Sequence, residues 1–171
     1  MGLREEVMEV LRAGDTTRVE QVAVSDRRAI RHLVGRLWDQ DCEVRRAACI
    51  GVGAAAAAHP DVGLDVIRRL MWALNDESAT NGVYGIAALG EIGARDPELI
   101  EPFVGPLASF SWDDGLRVEI LKALVRIARV TPRIVAPHLV QVEPHVDPHD
   151  YAEIELAAHL RSLVKDEHDE I

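Results

Sequence analysis

The best cluster of metal-ligating side chains in this sequence is His138, His145, Asp147, His149, Asp150 and Glu153. Imidazole nitrogen and carboxylate oxygen suit zinc or iron, and His149 and Glu153 stand at i and i+4, the spacing that places two side chains on one helix face. A metal-dependent enzyme needs a complete ligand set, and neither His-Glu-x-x-His nor a paired Cys-x-x-Cys occurs. The cluster reads first as a polar, solvated turn. Cys42 and Cys49 are seven residues apart on one predicted helix, so their Cα atoms stand about 10 Å apart, beyond disulfide reach. They are expected as small buried side chains. Ser25, Ser78, Ser109, Ser111 and Ser162 lack a Gly-x-Ser-x-Gly elbow, and no glycine-rich phosphate loop follows a strand. The expectation is a protein with no catalytic residues, no bound metal and no cofactor.

Recognition is better represented than catalysis. Gly82, Gly85 and Gly90 fall in one predicted helix, where each glycine costs about 1 kcal/mol relative to alanine. Close helix packing explains them. A shallow dent at Gly82 and Gly85, beside Asn81 and Tyr84, is the alternative and marks a protein-binding site. Trp38, Trp72 and Trp112 recur near the ends of successive segments, either plugging the seams between units or forming an aromatic strip with interface anchors. Arg45 and Arg46 complete the candidate protein-binding set of Arg45, Arg46, Trp72, Asn81, Gly82, Tyr84, Gly85 and Trp112.

The elements that must position these residues are repeats. An eighteen-residue pattern begins at Asp39, Asp76 and Ser111, with a degraded copy at Asp147. Within each copy, small or apolar residues recur every three or four positions behind a polar turn suited to capping. A second apolar segment precedes each: Ile30 to Leu37, Val66 to Leu74, Leu99 to Leu107, and Ile134 to Val140. Each unit is therefore two antiparallel helices, and such units are stable only when stacked. Pro60, Pro97 and Pro132 stand at expected helix starts, while Pro102, Pro106 and Pro137 fall inside first helices and should bend them.

Asp39-x-Asp41-x-x-Val44-Arg45, followed by Ala47-Ala48 and, in the second copy, Leu89-Gly90, resembles the second helix of a HEAT repeat. The chain is similar to short prokaryotic HEAT-like proteins, including the phycobilisome-lyase type, over roughly residues 26 to 165. The resemblance implies an all-α, right-handed α/α superhelix, a HEAT-like solenoid of about four helix pairs. First helices would form the convex layer and second helices the concave one. The expected units are an N-terminal helical cap at 1–25, repeats at 26–58, 60–94, 97–130 and 132–165, and an acidic tail at 166–171. Arg45 and Arg117 sit where HEAT arginines form a ladder toward a neighbouring Asp, with Asp41, Ser78 or Asp113 as expected partners. The second unit interrupts that ladder with Asn81 and Gly82. The implied function is a non-catalytic protein-binding scaffold, adaptor or assembly factor using the concave face. A tetrapyrrole-handling or cofactor-chaperone role is the alternative. The His-Glu dipeptides of HEAT-like hydroxylases are absent.

The chain has 171 residues, 48% of them hydrophobic, enough for a continuous core between two helix layers. Its formal charge of −10 is uneven, with nine acidic residues from position 140 onward against Arg161 and Lys165. An acidic field repels phosphate backbones, so nucleic acid is not an expected partner. Arg27, Arg28, Arg31, Arg36, Arg45 and Arg46 are the one basic concentration. No apolar run is long enough for a membrane span and no export signal opens the chain, so a cytoplasmic location is expected.

Overall fold

The structure, a computed structural model, describes residues 2–75 and 82–166, and these are all-helical with no strand. Ten α-helices follow in order: α1 Leu3–Ala13, α2 Thr16–Ser25, α3 Ala29–Val34, α4 Cys42–Ala58, α5 Pro60–Ala73, α6 Gly82–Arg95, α7 Pro97–Ser109, α8 Asp114–Ala128, α9 Leu139–Val142 and α10 Tyr151–Asp166. Side-chain caps start several of them. Asp15, Asp41, Asp96 and Asp113 each accept a backbone N–H from the first turn of α2, α4, α7 and α8, satisfying donors that a helix start leaves open. Pro60 and Pro97 open α5 and α7 as the sequence predicts. Gly14 closes α1 at φ 67°, a left-handed conformation that disfavours any residue with a Cβ.

The helices pack in two layers. Helices α2, α4, α6, α8 and α10 lie successively against one another, while α5, α7 and α9 form the second row, each leaning on its neighbour. Small residues set the separation within the first layer. A Cβ at Gly53 would come 2.9 Å from the Glu91 backbone of α6, and one at Gly90 would come 3.0 Å from Ala123 Cα of α8. Ala47, Ala48, Ala54, Ala55 and Ala56 are buried around α4, which is therefore wrapped on nearly every side. Leu89, Ile92, Leu116, Ile120 and Leu124 continue the apolar filling toward the C-terminal end. Burial of this kind supplies the main driving force, at about 25 cal/mol per Å² of apolar surface.

Ion pairs repeat with the architecture. Arg27–Asp61, Glu91–Arg126 and Arg117–Glu153 join residues 34, 35 and 36 apart in sequence, which is the spacing of the repeat copies. Lateral pairing at the repeat distance is what stacking similar units produces.

The segment at 1–25 holds α1 and α2, and α2 packs on α4 as α4 packs on α6. Two expectations change. The first helix of the first unit stops at Val34 and is only six residues long, the chain turning through residues 35–38. The corresponding segment of the last unit is broken into 3-10 turns at Pro132–Ile134, Ala136–His138 and Glu143–His145 around the four-residue α9. Pro137 and Pro144 lack the N–H an α-helix needs, which shortens the hydrogen-bonded runs. By contrast α7 carries Pro102 and Pro106 inside one continuous helix. Among the described residues no helix is long and apolar enough to cross a membrane.

Candidate functional site

The exposed face of the layer containing α4, α6 and α8 carries a groove of about 660 Å³. Arg45 is the groove cation held by backbone carbonyls. Arg45 Nη1 donates to the carbonyls of Asp39 at 2.6 Å and Gln40 at 3.0 Å, so the turn before α4 anchors the guanidinium. Its carbon lies 4.8 Å from the centroid of the Tyr84 ring on α6, a cation–π contact that joins two units. Tyr84 remains 38% exposed, leaving ring surface for a partner. Arg46 projects beside them and pairs with Glu43 at 3.0 Å. Lys122 and Glu119, themselves paired at 2.7 Å, form the α8 wall. Ile50, Val83 and Ala87 supply apolar lining.

Glu91 closes one end of the groove as the hub of an ionic network. Arg126 of α8 donates through Nε at 3.0 Å, Arg95 donates from the same helix, and Arg95 also reaches Glu20 of α2. Burial pushes the Glu91 carboxyl upward, but hydrogen bonds from Arg126 and Arg95 outweigh it and hold the group below its ordinary value. Cys49 lines the same groove and is buried, whereas Cys42 is exposed, so the expectation of two buried thiols holds for one. Burial, reinforced by the carboxylates of Glu91 and Glu119, pushes the Cys49 thiol up to about 12. It is a protonated packing group at neutral pH, without the thiolate that nucleophilic chemistry needs.

The sequence-derived set divides. Arg45, Arg46 and Tyr84 come together in the groove. Gly82 and Gly85 face the other way, into α5, where a Cβ would come 2.9 Å from a Leu74 methyl and 3.0 Å from one of Leu70. They permit close helix packing, the first of the two sequence readings, and the dent given as the alternative is not formed there. Trp72 and Trp112 are 76% and 61% exposed, so they plug no seam; neither lines the groove. Asn81 lies outside the described residues, as do Asp76 and Ser78.

The arginine ladder takes a different form. Arg45 bonds carbonyls of its own turn, with Ser78 outside the described residues, and Arg117 does cross to the following unit but reaches Glu153 instead of a capping Asp. Arg117 is buried, donating through Nε to Ser111 O at 2.7 Å and through Nη1 to both Glu153 oxygens at 3.2 and 3.3 Å. Glu153 Oε2 further accepts the Asp147 N–H at 2.7 Å. That arrangement disperses the His/Asp/Glu cluster. Glu153 serves Arg117, and Asp150 caps α10. His138 lies over Gly105 of α7, where an added Cβ would meet its ring at 2.7 Å. His145 and His149 are exposed, and His149 precedes α10 instead of sharing its face with Glu153. Among the described residues no three His, Cys, Asp or Glu side chains converge as metal ligands would.

The Glu20–Arg95–Glu91–Arg126 network escaped sequence reading. Its signal was available in the 35-residue separation of Glu91 and Arg126, one repeat length between opposite charges. No family model, curated protein or solved structure matches the chain.

Proposed function

We propose that this chain is a HEAT-like, right-handed superhelical array acting as a non-catalytic protein-binding scaffold or adaptor, with its binding surface on the α4–α6–α8 groove. The observation that carries the reading is the Arg45–Tyr84 pair, tied to two backbone carbonyls and set in a groove that spans three helices. A cation and an aromatic ring fixed before a partner arrives lose little ordering entropy on binding, and Arg and Tyr are common interface anchors. The two-layer packing and the repeat-spaced ion pairs support the stacked arrangement. Catalysis is not needed to account for any group in the groove.

The test is affinity capture with the tagged full chain, followed by reconstitution of any complex from purified components. Arg46→Glu combined with Tyr84→Ser should abolish the interaction while circular dichroism stays unchanged, because both side chains are solvent-facing. Retention of the partner by this variant would reject the groove as the binding surface.

A further inference from the structure

A second surface lies on the opposite layer and has a different chemistry. Helix α3 packs on α4 and α1, whereas α5 packs on α4, α6 and α7, so the two stand apart on the outer side of α4. Two contiguous depressions of about 320 and 410 Å³ occupy the gap and share the walls Arg31, Val34, Val66 and Arg69. The cleft runs along the six-residue α3 on one side and the fourteen-residue α5 on the other. Its lining is aliphatic: Ile30 and Val34 from α3, and Val62, Val66 and Leu70 from α5. Trp38, 38% exposed, stands at one end.

The rim is basic in a chain whose formal charge is −10. Arg27 and Arg28 have carboxylate partners, Asp61 at 2.6 Å and Asp26 at 2.7 Å. Arg31 and Arg69 face the same cleft, are exposed, and have no acidic partner among the described residues. Asp65 is the one acid on the lining. Helix α10, with Glu153 and Glu155, packs chiefly on α8 and not on the walls of this cleft.

We propose that the α3–α5 cleft docks an acidic amphipathic helix of a partner protein. Aliphatic side chains of that helix would lie on the half-buried Val34 and Val62, and its flanking carboxylates would pair with Arg31 and Arg69. Val62 to Leu70 covers nine residues, a rise of about 12 Å at 1.5 Å per residue, which matches about two turns of a docked helix. A helix satisfies its own backbone groups. An extended peptide would bury backbone donors and acceptors on an aliphatic floor that offers none in return. Nucleic acid fits poorly, since the floor is aliphatic and the remaining charge of the molecule repels phosphate.

Fluorescence anisotropy with the full chain tests the proposal. The probe is a labelled helical peptide of about fifteen residues with Leu at i, i+3, i+4 and i+7 and Glu on its flanks. Saturable binding is expected, weakening with added salt and falling roughly tenfold or more in Arg31→Glu/Arg69→Glu. The control variant Arg129→Glu, exposed at the end of α8 and outside both surfaces, should bind the probe as the wild type does. Absence of saturable binding would overturn the assignment. So would equal binding by the double variant, equal binding of a probe with Ser in place of Leu, or tighter binding of a duplex oligonucleotide at the same arginines. Each variant is first checked for unchanged helicity.

Discussion

At the scale of single residues, Arg117 and Glu153 are the most consequential pair. Both are buried, and the guanidinium simultaneously holds the carbonyls of Ser111 and Trp112, which end the turn before α8. Removing one member leaves the other charge without compensation. Glu153→Ala is therefore expected to lower unfolding free energy by about 3–5 kcal/mol, read from urea denaturation followed by circular dichroism. Arg117→Met with Glu153→Leu should recover most of that loss, since a well-packed apolar pair avoids the desolvation cost. A neutral Glu153→Ala would show that the pair does not hold α10 in place. The arginine at position 117 was legible as a ladder residue from its place in the repeat. Its partner was not, because the fourth copy is degraded and Glu153 reads from the sequence as part of a polar, solvated turn with the neighbouring histidines. Local composition showed six polar groups close in sequence, and only the fold could show that one pointed inward while others capped a helix or faced solvent.

At the scale of elements, interhelix distance is set by the absence of side chains. Gly53 brings α4 against the backbone of α6, with 2.9 Å available to an added Cβ. Gly53→Ala must push these helices apart and is expected to destabilise by about 1–3 kcal/mol in chemical denaturation, despite alanine's better helix propensity. Gly35→Ala is the internal comparison. Its backbone is already right-handed helical and its nearest neighbours stand 3.6 Å away, so it should be neutral or stabilise by about 0.4–1 kcal/mol. Equal effects at both positions would reject the close-approach argument. The second helices were legible because their small-residue periodicity is strong. The first helices were less so, since apolar spacing around Ile30 to Leu37 and Ile134 to Val140 is compatible with full helices. Gly35 and Pro137 alone did not fix where the hydrogen-bonded runs would stop.

Across the molecule, the Glu20–Arg95–Glu91–Arg126 network ties α2, α6 and α8 together. Because the Glu91 carboxyl is held below its ordinary value of 4.5, its contribution to folding is present above about that pH and is lost as pH falls through the lower folded value. Glu91→Gln should therefore be less stable than the wild type by about 1.5–3 kcal/mol at pH 7, the worth of charge-assisted hydrogen bonds. The gap should close at acidic pH, as measured by urea midpoints across a pH series. A gap independent of pH would assign the loss to packing. The all-helical class was readable from the repeat itself; Arg45, Arg46 and Tyr84 stand in the candidate binding set read from the sequence, but nothing in the sequence pairs Arg45 with Tyr84. The network was missed because charges were weighed within each segment and not at the repeat distance.

The broken segment between Thr131 and Asp150 leaves α10 with one principal neighbour, α8, and no full-length helix behind it. A helix held mainly on one flank opens before helices covered on both. Opening should begin at α10, with the amides of α4 and α6 exchanging last because both their flanks are covered. The Arg117–Glu153 pair is then the latch that holds α10 on α8, and whatever engages α10 would shift the threshold at which it opens.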